Sequence, residues 1–251
     1  MELEGKRALV TGAARGLGLA IAEKFVERGA RVALADIDGP AAESASAALG
    51  GETIAIAADV TKPADIQRAI AATVEAYGGL DVMVNNAGIE IGKPIPETGD
   101  EEFAQLMAIN VNGVFYGIKY AIPELAQTGG SIINMSSVAG LDGVPLLGAY
   151  CASKAAVIRL TQTASRELRD AGIRVNAICP SFIATEMVER LVEPFEAATG
   201  ANFVDLTAQA QGRLGTPEEV AEMAAFLASD AASFINGAYY VLDNALTASV
   251  L

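Results

Sequence analysis

Two side chains of unlike chemistry, Tyr150 and Lys154, stand four positions apart in the segment SSVAGLDGVPLLGAYCASK, residues 136–154. On a helix that spacing puts them one turn apart on one face. A free phenol titrates near pH ~10, and bringing it to about 7 takes ~4 kcal/mol. An ammonium within ~4 Å at an effective dielectric of ~20 supplies about that much. Tyr150 would then act as a general acid or base at neutral pH. Alone, the pair is weak evidence, because a packed tyrosine beside a solvated lysine has the same spacing.

A second pattern, TGAARGLG at residues 11–18, sets glycines at 12, 16 and 18 between an apolar run and the helical pattern Leu19, Ala20, Ile21, Phe25. Glycines there let backbone N–H groups approach a pyrophosphate, and a helix N-terminus adds partial positive charge. The position at the start of a βαβ unit is the context this motif requires. Asp36 ends the next strand 18 residues beyond Gly18, close to where a carboxylate accepts hydrogen bonds from adenosine ribose hydroxyls. That favours NAD. Arg15 pulls the other way, toward a 2′-phosphate, but a phosphate would also meet Asp36. Like charges ~4 Å apart at an effective dielectric of ~20 repel by roughly 4 kcal/mol, so Asp36 decides.

These residues need strands and helices to hold them. Strands are expected at 8–10, 31–36, 53–59, 80–88, 131–137, 173–179 and 238–243, and helices at 17–28, 40–49, 63–77, 101–126, 150–171 and 217–228. This alternation is that of a parallel α/β sheet covered on both faces. No linker or repeat divides the 251 residues, which reads as one domain. The least regular stretch, 180–215, is too long for a plain connector and reads as a substrate lid over about 182–215.

Composition removes several alternatives. A net charge of −14 repels phosphate backbones and anionic lipid, so neither nucleic acid nor a membrane surface is an expected partner. With no histidine, Ser-His-Asp and Cys-His catalysis are excluded. Cys151 and Cys179 alone cannot build a thiolate or imidazole zinc site, and no metal is expected. Two cysteines in a chain this large suggest a reducing compartment. A charged start, MELEGKR, and no apolar run of membrane-spanning length make the cytoplasm the expected location.

Four motifs occur in order: TGAARGLG, Asn85-Asn86-Ala87-Gly88, Ser137 thirteen residues before the tyrosine, and Tyr150-x-x-x-Lys154. Together they resemble the single-domain short-chain dehydrogenases/reductases over essentially the whole chain. The resemblance implies a Rossmann-like doubly wound sheet of seven parallel strands, order 3-2-1-4-5-6-7, with its site outside the carboxyl ends of the strands. It implies that Tyr150 exchanges the proton, Lys154 lowers its pKa and holds the nicotinamide ribose, Ser137 bonds the substrate oxygen, and Asn110 anchors a proton-relay water. Cofactor contacts would come from Gly12, Arg15, Gly16, Leu17, Gly18 and Asp36, from Asp59 and Val60 near adenine, and from Asn86, Ala87 and Gly88 at the ribose. Pro180, Ile183 and Thr185 would lie toward the carboxamide. Ser136 is rejected, since strand alternation turns it away if Ser137 faces the site.

The activity implied is an NAD-dependent oxidoreductase interconverting a secondary alcohol and a ketone, with a small or medium, largely apolar substrate. Val144, Leu146, Leu147, Met187 and Leu191 would line its pocket, while Glu90 could recognise a second hydroxyl or an amine. The alternatives are an NADPH-dependent 3-oxoacyl thioester (acyl carrier protein) reductase, opposed by Asp36 and the acidic surface, and a catalytically silent dinucleotide-binding module. Relatives pair their long helices, so a homo-oligomer, tetramer or dimer, is expected, with Gly113 and Gly117 allowing close approach. The chain departs from the family at Pro180-Ser181, usually Pro-Gly, and at Asp243-Asn244-Ala245, usually Asp-Gly-Gly. Asn244 is expected to preserve a turn there, being the residue after glycine that best tolerates positive φ.

Overall fold

A computed structural model describes residues 2–248. Side chains in each strand alternate between two apolar layers, and that alternation builds the fold. In β1 (Arg7–Thr11), Ala8 and Val10 enter one layer and Leu9 the other. In β2 (Arg31–Asp36), Val32 and Leu34 oppose Ala33 and Ala35 in the same way. β3 (Thr53–Ala57), β4 (Val82–Asn85), β5 (Gly130–Met135), β6 (Ile173–Pro180) and β7 (Tyr239–Leu242) complete a sheet of order β3-β2-β1-β4-β5-β6-β7. Every pairing is parallel, as the sequence implied. The order reverses between β1 and β4, which opens a crevice at their carboxyl ends.

α1 (Gly16–Glu27), α2 (Gly39–Leu49) and α9 (Pro217–Ala228) cover one face. α3 (Pro63–Tyr77), α5 (Gly113–Leu125) and α6 (Gly148–Glu167) cover the other. Pro63 and Pro217 begin their helices, where a missing N–H costs nothing. Thr216 closes a capping box on α9: its hydroxyl accepts from the Glu219 N–H, and Glu219 Oε2 accepts from the Thr216 N–H at 2.9 Å. None of the described helices is long and apolar enough to cross a membrane.

Two stretches depart from expectation, and a third meets it at Asn244. The helix expected over 101–126 is α4 (Asp100–Met107) and α5 joined by a π-helical turn, Ala108–Asn112. That turn moves Asn110 inward to full burial. The irregular stretch after Pro180 holds α7 (Glu186–Thr199) and α8 (Phe203–Gln211), hidden in sequence by Pro194 within α7 and by the glycine at 200. At the C-terminal departure, Asn244 has φ 45° and so does preserve a left-handed turn; Ala245, at φ 70°, adopts the same region without asparagine's advantage.

Gly113 and Gly117 do not face outward. A Cβ on Gly113 would meet Val60 at 3.0 Å, and one on Gly117 would overlap Asn85 Oδ1. Gly117 thus lets α5 lie directly on Asn85, whose Nδ2 donates to Asn134 Oδ1 at 2.8 Å, while Asn134 Nδ2 donates to Thr161 Oγ1 at 2.9 Å. Overpacking of this kind costs about 1–3 kcal/mol. For a chain of 251 residues Gly117→Ala should lower the melting temperature by roughly 3–10 °C. Calorimetry checks this, and an unchanged midpoint would mean that the helix shifts freely.

Candidate active site

The glycine loop is fastened to the end of β4 by hydrogen bonds that leave it no freedom. Thr11 Oγ1 accepts from the N–H groups of Asn86 (3.0 Å) and Ala87 (3.2 Å), and Asn86 Nδ2 donates to the carbonyls of Thr11 and Gly12, both at 3.0 Å. Gly12 is at φ 63°, and a Cβ there would fall 2.8 Å from Ala87 Cα. A Cβ on Gly18 would strike the Gly12 carbonyl oxygen at 2.1 Å, so the first turn of α1 sits against the loop. Arg15, at the N-cap of α1, gives no side-chain cap, and the first turn carries no acidic residue. The free N–H groups and the positive end of the helix are left to face an anion.

A cavity of about 330 Å³ extends from this loop. Gly12, Arg15, Gly16, Leu17, Asp36, Asp59, Val60, Asn86, Ala87, Gly88, Tyr150, Lys154 and Thr185 line it, all expected from the sequence. Gly18, Pro180 and Ile183 do not: Gly18 packs under the loop, and Pro180 and Ile183 line a smaller adjoining cavity. Sequence reasoning missed Ile37, Ala58, Ile89, Ile109, Met135, Glu186 and Arg190, and rejected Ser136, which also lines the cavity. Ile37 carried a usable signal, as an apolar residue placed directly after the strand-ending Asp36 and 74% exposed.

Asp36 is fixed by two N–H donors, Ala14 to Oδ2 and Asp38 to Oδ1, each at 3.0 Å. Each oxygen keeps lone-pair capacity for a further donor such as a ribose hydroxyl. Arg15 pairs with Asp38 at 2.5 Å, both side chains about half exposed at the rim of the cavity. An uncapped helix end, glycines where a Cβ would collide, and a carboxylate awaiting hydroxyls suit an adenine dinucleotide.

Tyr150 and Lys154 project from the first turns of α6. Lys154 is buried, donates from Nζ to the Met135 carbonyl at 2.8 Å, and lies 5.5 Å from the Tyr150 ring centre. Burial pulls the ammonium down to about 8. Burial pushes the Tyr150 phenol up, the Ser137 hydroxyl draws it down, and the charge of Glu90 adds to the rise. The expected lowering by Lys154 is therefore not the dominant effect in the protein alone; desolvation is.

Ser137, at the carboxyl end of β5, donates to the Pro180 carbonyl at 3.2 Å and accepts from the Ala139 N–H at 3.2 Å. Ser136 is a correction: alternation does not turn it away, since it lines both cavities, although its hydroxyl donates to the Lys154 carbonyl at 2.8 Å. Asn110 lines neither cavity. Its Oδ1 accepts from the Ile89 N–H at 2.9 Å, and its Nδ2 donates to the Ile89 carbonyl at 2.8 Å and to Ser153 Oγ at 3.1 Å. It clamps the chain just before Glu90.

The smaller cavity, about 90 Å³, is bounded by Ser137, Tyr150, Glu90, Val144, Leu147, Met187 and Leu191. Leu146 is a correction: at φ 70° it lines a separate apolar cavity with Gly92, Phe195 and Phe203, and of the two expected leucines only Leu147 also bounds the cavity beside Tyr150. The Glu90 side chain is only 8% exposed, its Oε1 is 3.4 Å from Arg190 Nε, and its Oε2 has no hydrogen-bond partner among the described residues. An unsatisfied buried acceptor costs about 1–3 kcal/mol or more.

If the loop must lie against α1 to receive a dinucleotide, Gly18→Ala should weaken NADH binding at least about tenfold, the loss of a charge-assisted contact or more. Titration of NADH fluorescence with the folded variant checks this. Wild-type affinity would contradict the assignment of the loop.

Comparison with known proteins agrees with this geometry. A family model described as enoyl-(acyl carrier protein) reductase matches residues 12–247. The chain is 40% identical over 250 residues to a 2,5-dichloro-2,5-cyclohexadiene-1,4-diol dehydrogenase of Sphingobium indicum, covering 98% of this chain and 99% of the relative. It is 38% identical over 252 residues to an NADP-dependent (R)-specific alcohol dehydrogenase of Lentilactobacillus kefiri, covering 98% of each. Among solved structures, a short-chain type dehydrogenase/reductase from Mycobacterium marinum superimposes with a TM-score of 0.91 at 34% identity, covering 99% of this chain and 98% of that one. With the strand order, the glycine loop and the Tyr150–Lys154 pair, these matches place the chain in the short-chain dehydrogenase/reductase family.

Proposed function

We propose that the protein is an NAD-dependent oxidoreductase that interconverts a secondary alcohol and a ketone, with Tyr150 as the proton-transferring group. One observation carries the reading: Tyr150 lines both cavities, with Lys154 in the larger and Ser137 in the smaller. A phenol at that junction touches whatever reacts between them. Relatives named as alcohol and diol dehydrogenases support oxidoreduction at an alcohol carbon.

A bound nicotinamide supplies the acceptor or donor of the hydride. The chain's own groups then have separable tasks. Ser137 has one proton; with the Ala139 N–H already on its oxygen, that proton turns from the Pro180 carbonyl to the substrate oxygen. Tyr150 takes the proton of the alcohol, or returns it to the ketone oxygen. Lys154 stabilises the phenolate by its charge, while the Met135 carbonyl fixes Nζ and leaves its other protons for ribose hydroxyls. Asn110 is a positioning residue that holds Ile89 and Ser153. Val144, Leu147, Met187 and Leu191 enclose the substrate, and α7 and α8 form its lid.

Asp36 carries the preference for NAD, since a 2′-phosphate would meet its carboxylate. The acyl carrier protein reductase reading is disfavoured by the same carboxylate and by the net charge of −14, which repels an acidic carrier. We read the chain as one domain working in the cytoplasm as a homo-oligomer, supported by the exposed Phe103 and Phe115 on α4 and α5.

Initial rates with NAD and NADP over a panel of secondary alcohols test this reading. NAD should be preferred, and Tyr150→Phe should lower kcat by about 10²–10⁴-fold, the range of general acid–base catalysis, while keeping NADH affinity. A preference for NADP would overturn the role of Asp36. Turnover undiminished in Tyr150→Phe would overturn that of the phenol.

A further inference from the structure

Glu90 is the one charged side chain bounding the smaller cavity among the described residues, and it faces a wall of Val144, Leu147, Met187, Val188 and Leu191. None of these offers a side-chain hydrogen-bond donor, and the hydroxyls of Ser136, Ser137, Tyr150, Ser181 and Thr185, which also bound the cavity, leave Oε2 without a partner. Asn110 holds the backbone of Ile89 from both sides, so the chain delivers Glu90 to this place by a built contact. Its side chain is more than nine-tenths buried, and Oε2 meets no protein donor. A carboxylate oxygen kept out of water in an apolar wall calls for a donor from the ligand.

We propose that Glu90 Oε2 accepts a hydrogen bond from a second hydroxyl of the substrate, so that the preferred substrates are diols or polyols oxidised at one carbinol carbon. The inference rests on the alcohol dehydrogenase reading and specifies its substrate class. The oxidised product keeps the second hydroxyl, so the contact serves both directions. A hydroxyl suits the site better than an ammonium. Arg190 already faces Oε1 at 3.4 Å and Lys154 stands beyond Tyr150, so a neutral donor satisfies Oε2 without a third cation.

The ion pair does not by itself account for the burial. At 3.4 Å the Arg190 contact is longer than a strong charge-assisted hydrogen bond, and the Arg190 side chain is 62% exposed. Arg190→Ala therefore separates recognition by Oε2 from a structural latch.

The experiment compares kcat/KM for butane-2,3-diol with 2-butanol, and for cyclohexane-1,2-diol and cyclohexane-1,4-diol with cyclohexanol, using the intact protein and its preferred nicotinamide. Wild type should favour at least one diol over its matched mono-alcohol by about 10–100-fold, mainly through KM, because a site built for a hydroxyl rejects the analogue lacking it. Glu90→Leu should bring that ratio to within about threefold and raise activity on the mono-alcohol, because the unpaired acceptor is gone. Glu90→Gln, which keeps an acceptor, should retain part of the preference, and Arg190→Ala should retain most of it. A wild-type ratio near one, a ratio unmoved in Glu90→Leu, or equal loss in Arg190→Ala would overturn the proposal while leaving the dehydrogenase reading intact. Failure to oxidise any alcohol would overturn both.

Discussion

Desolvation of Tyr150 and Lys154 is the constraint on which the site depends. Burial pushes a phenol toward its neutral form and an ammonium toward the same, and here the phenol rises while the ammonium falls to about 8. The phenol alone would not be ready for proton transfer at neutral pH. In the proposed mechanism, the Lys154 charge offsets that penalty once Tyr150 ionises, because in a medium of low dielectric a phenolate and an ammonium attract one another more strongly than in water. The expense of burying both is recovered only when the proton leaves Tyr150 and Lys154 keeps its own. Glu90, on the substrate side, opposes that ionisation by its charge. A donor on Glu90 and a hydroxyl beside Tyr150 therefore act on one electrostatic balance.

The scaffold meets this demand by close approach of backbone. β1 and β4 are neighbours whose chains diverge beyond their carboxyl ends, and Thr11 and Asn86 tie the two exits together. Small residues set the spacing: Gly12 lies on Ala87, Gly18 on Gly12, and Gly117 on Asn85. A Cβ on Gly88 would stand 3.3 Å from Asn110 Oδ1 and 3.5 Å from Lys154 Nζ, so this glycine keeps the cavity floor low beside the ammonium. The π turn at Ala108–Asn112 serves the same end, since it carries a polar side chain inward to hold Ile89. π turns recur at functional sites for this reason.

Strand order, the glycine loop, Asp36 and the tyrosine–lysine pair were legible in the sequence because each is fixed locally, by alternation or by motif spacing. What escaped depends on tertiary contacts. No periodicity marks the π turn, and Asn110 was expected to serve water rather than the Ile89 backbone. Pro194 concealed α7, although the helix forms around it. Leu146 and Leu147 are indistinguishable by type; both line the neighbouring apolar cavity, and only Leu147 also reaches the one beside Tyr150, Leu146 being held at φ 70°. Gly113 and Gly117 looked like a contact between copies because sequence does not say which face of α5 meets the sheet. At Tyr150, the pairing with Lys154 could be counted from spacing while the burial that raises the phenol could not.

Direct titration of the phenol tests this account most closely. With NAD bound, ultraviolet difference absorbance near 295 nm should report one of the six tyrosines ionising well below its ordinary pKa of about 10, with that step absent in Tyr150→Phe and shifted upward in Lys154→Met. A wild-type complex whose tyrosines all ionise at or above about 10 would contradict the claim that Lys154 offsets the burial of Tyr150.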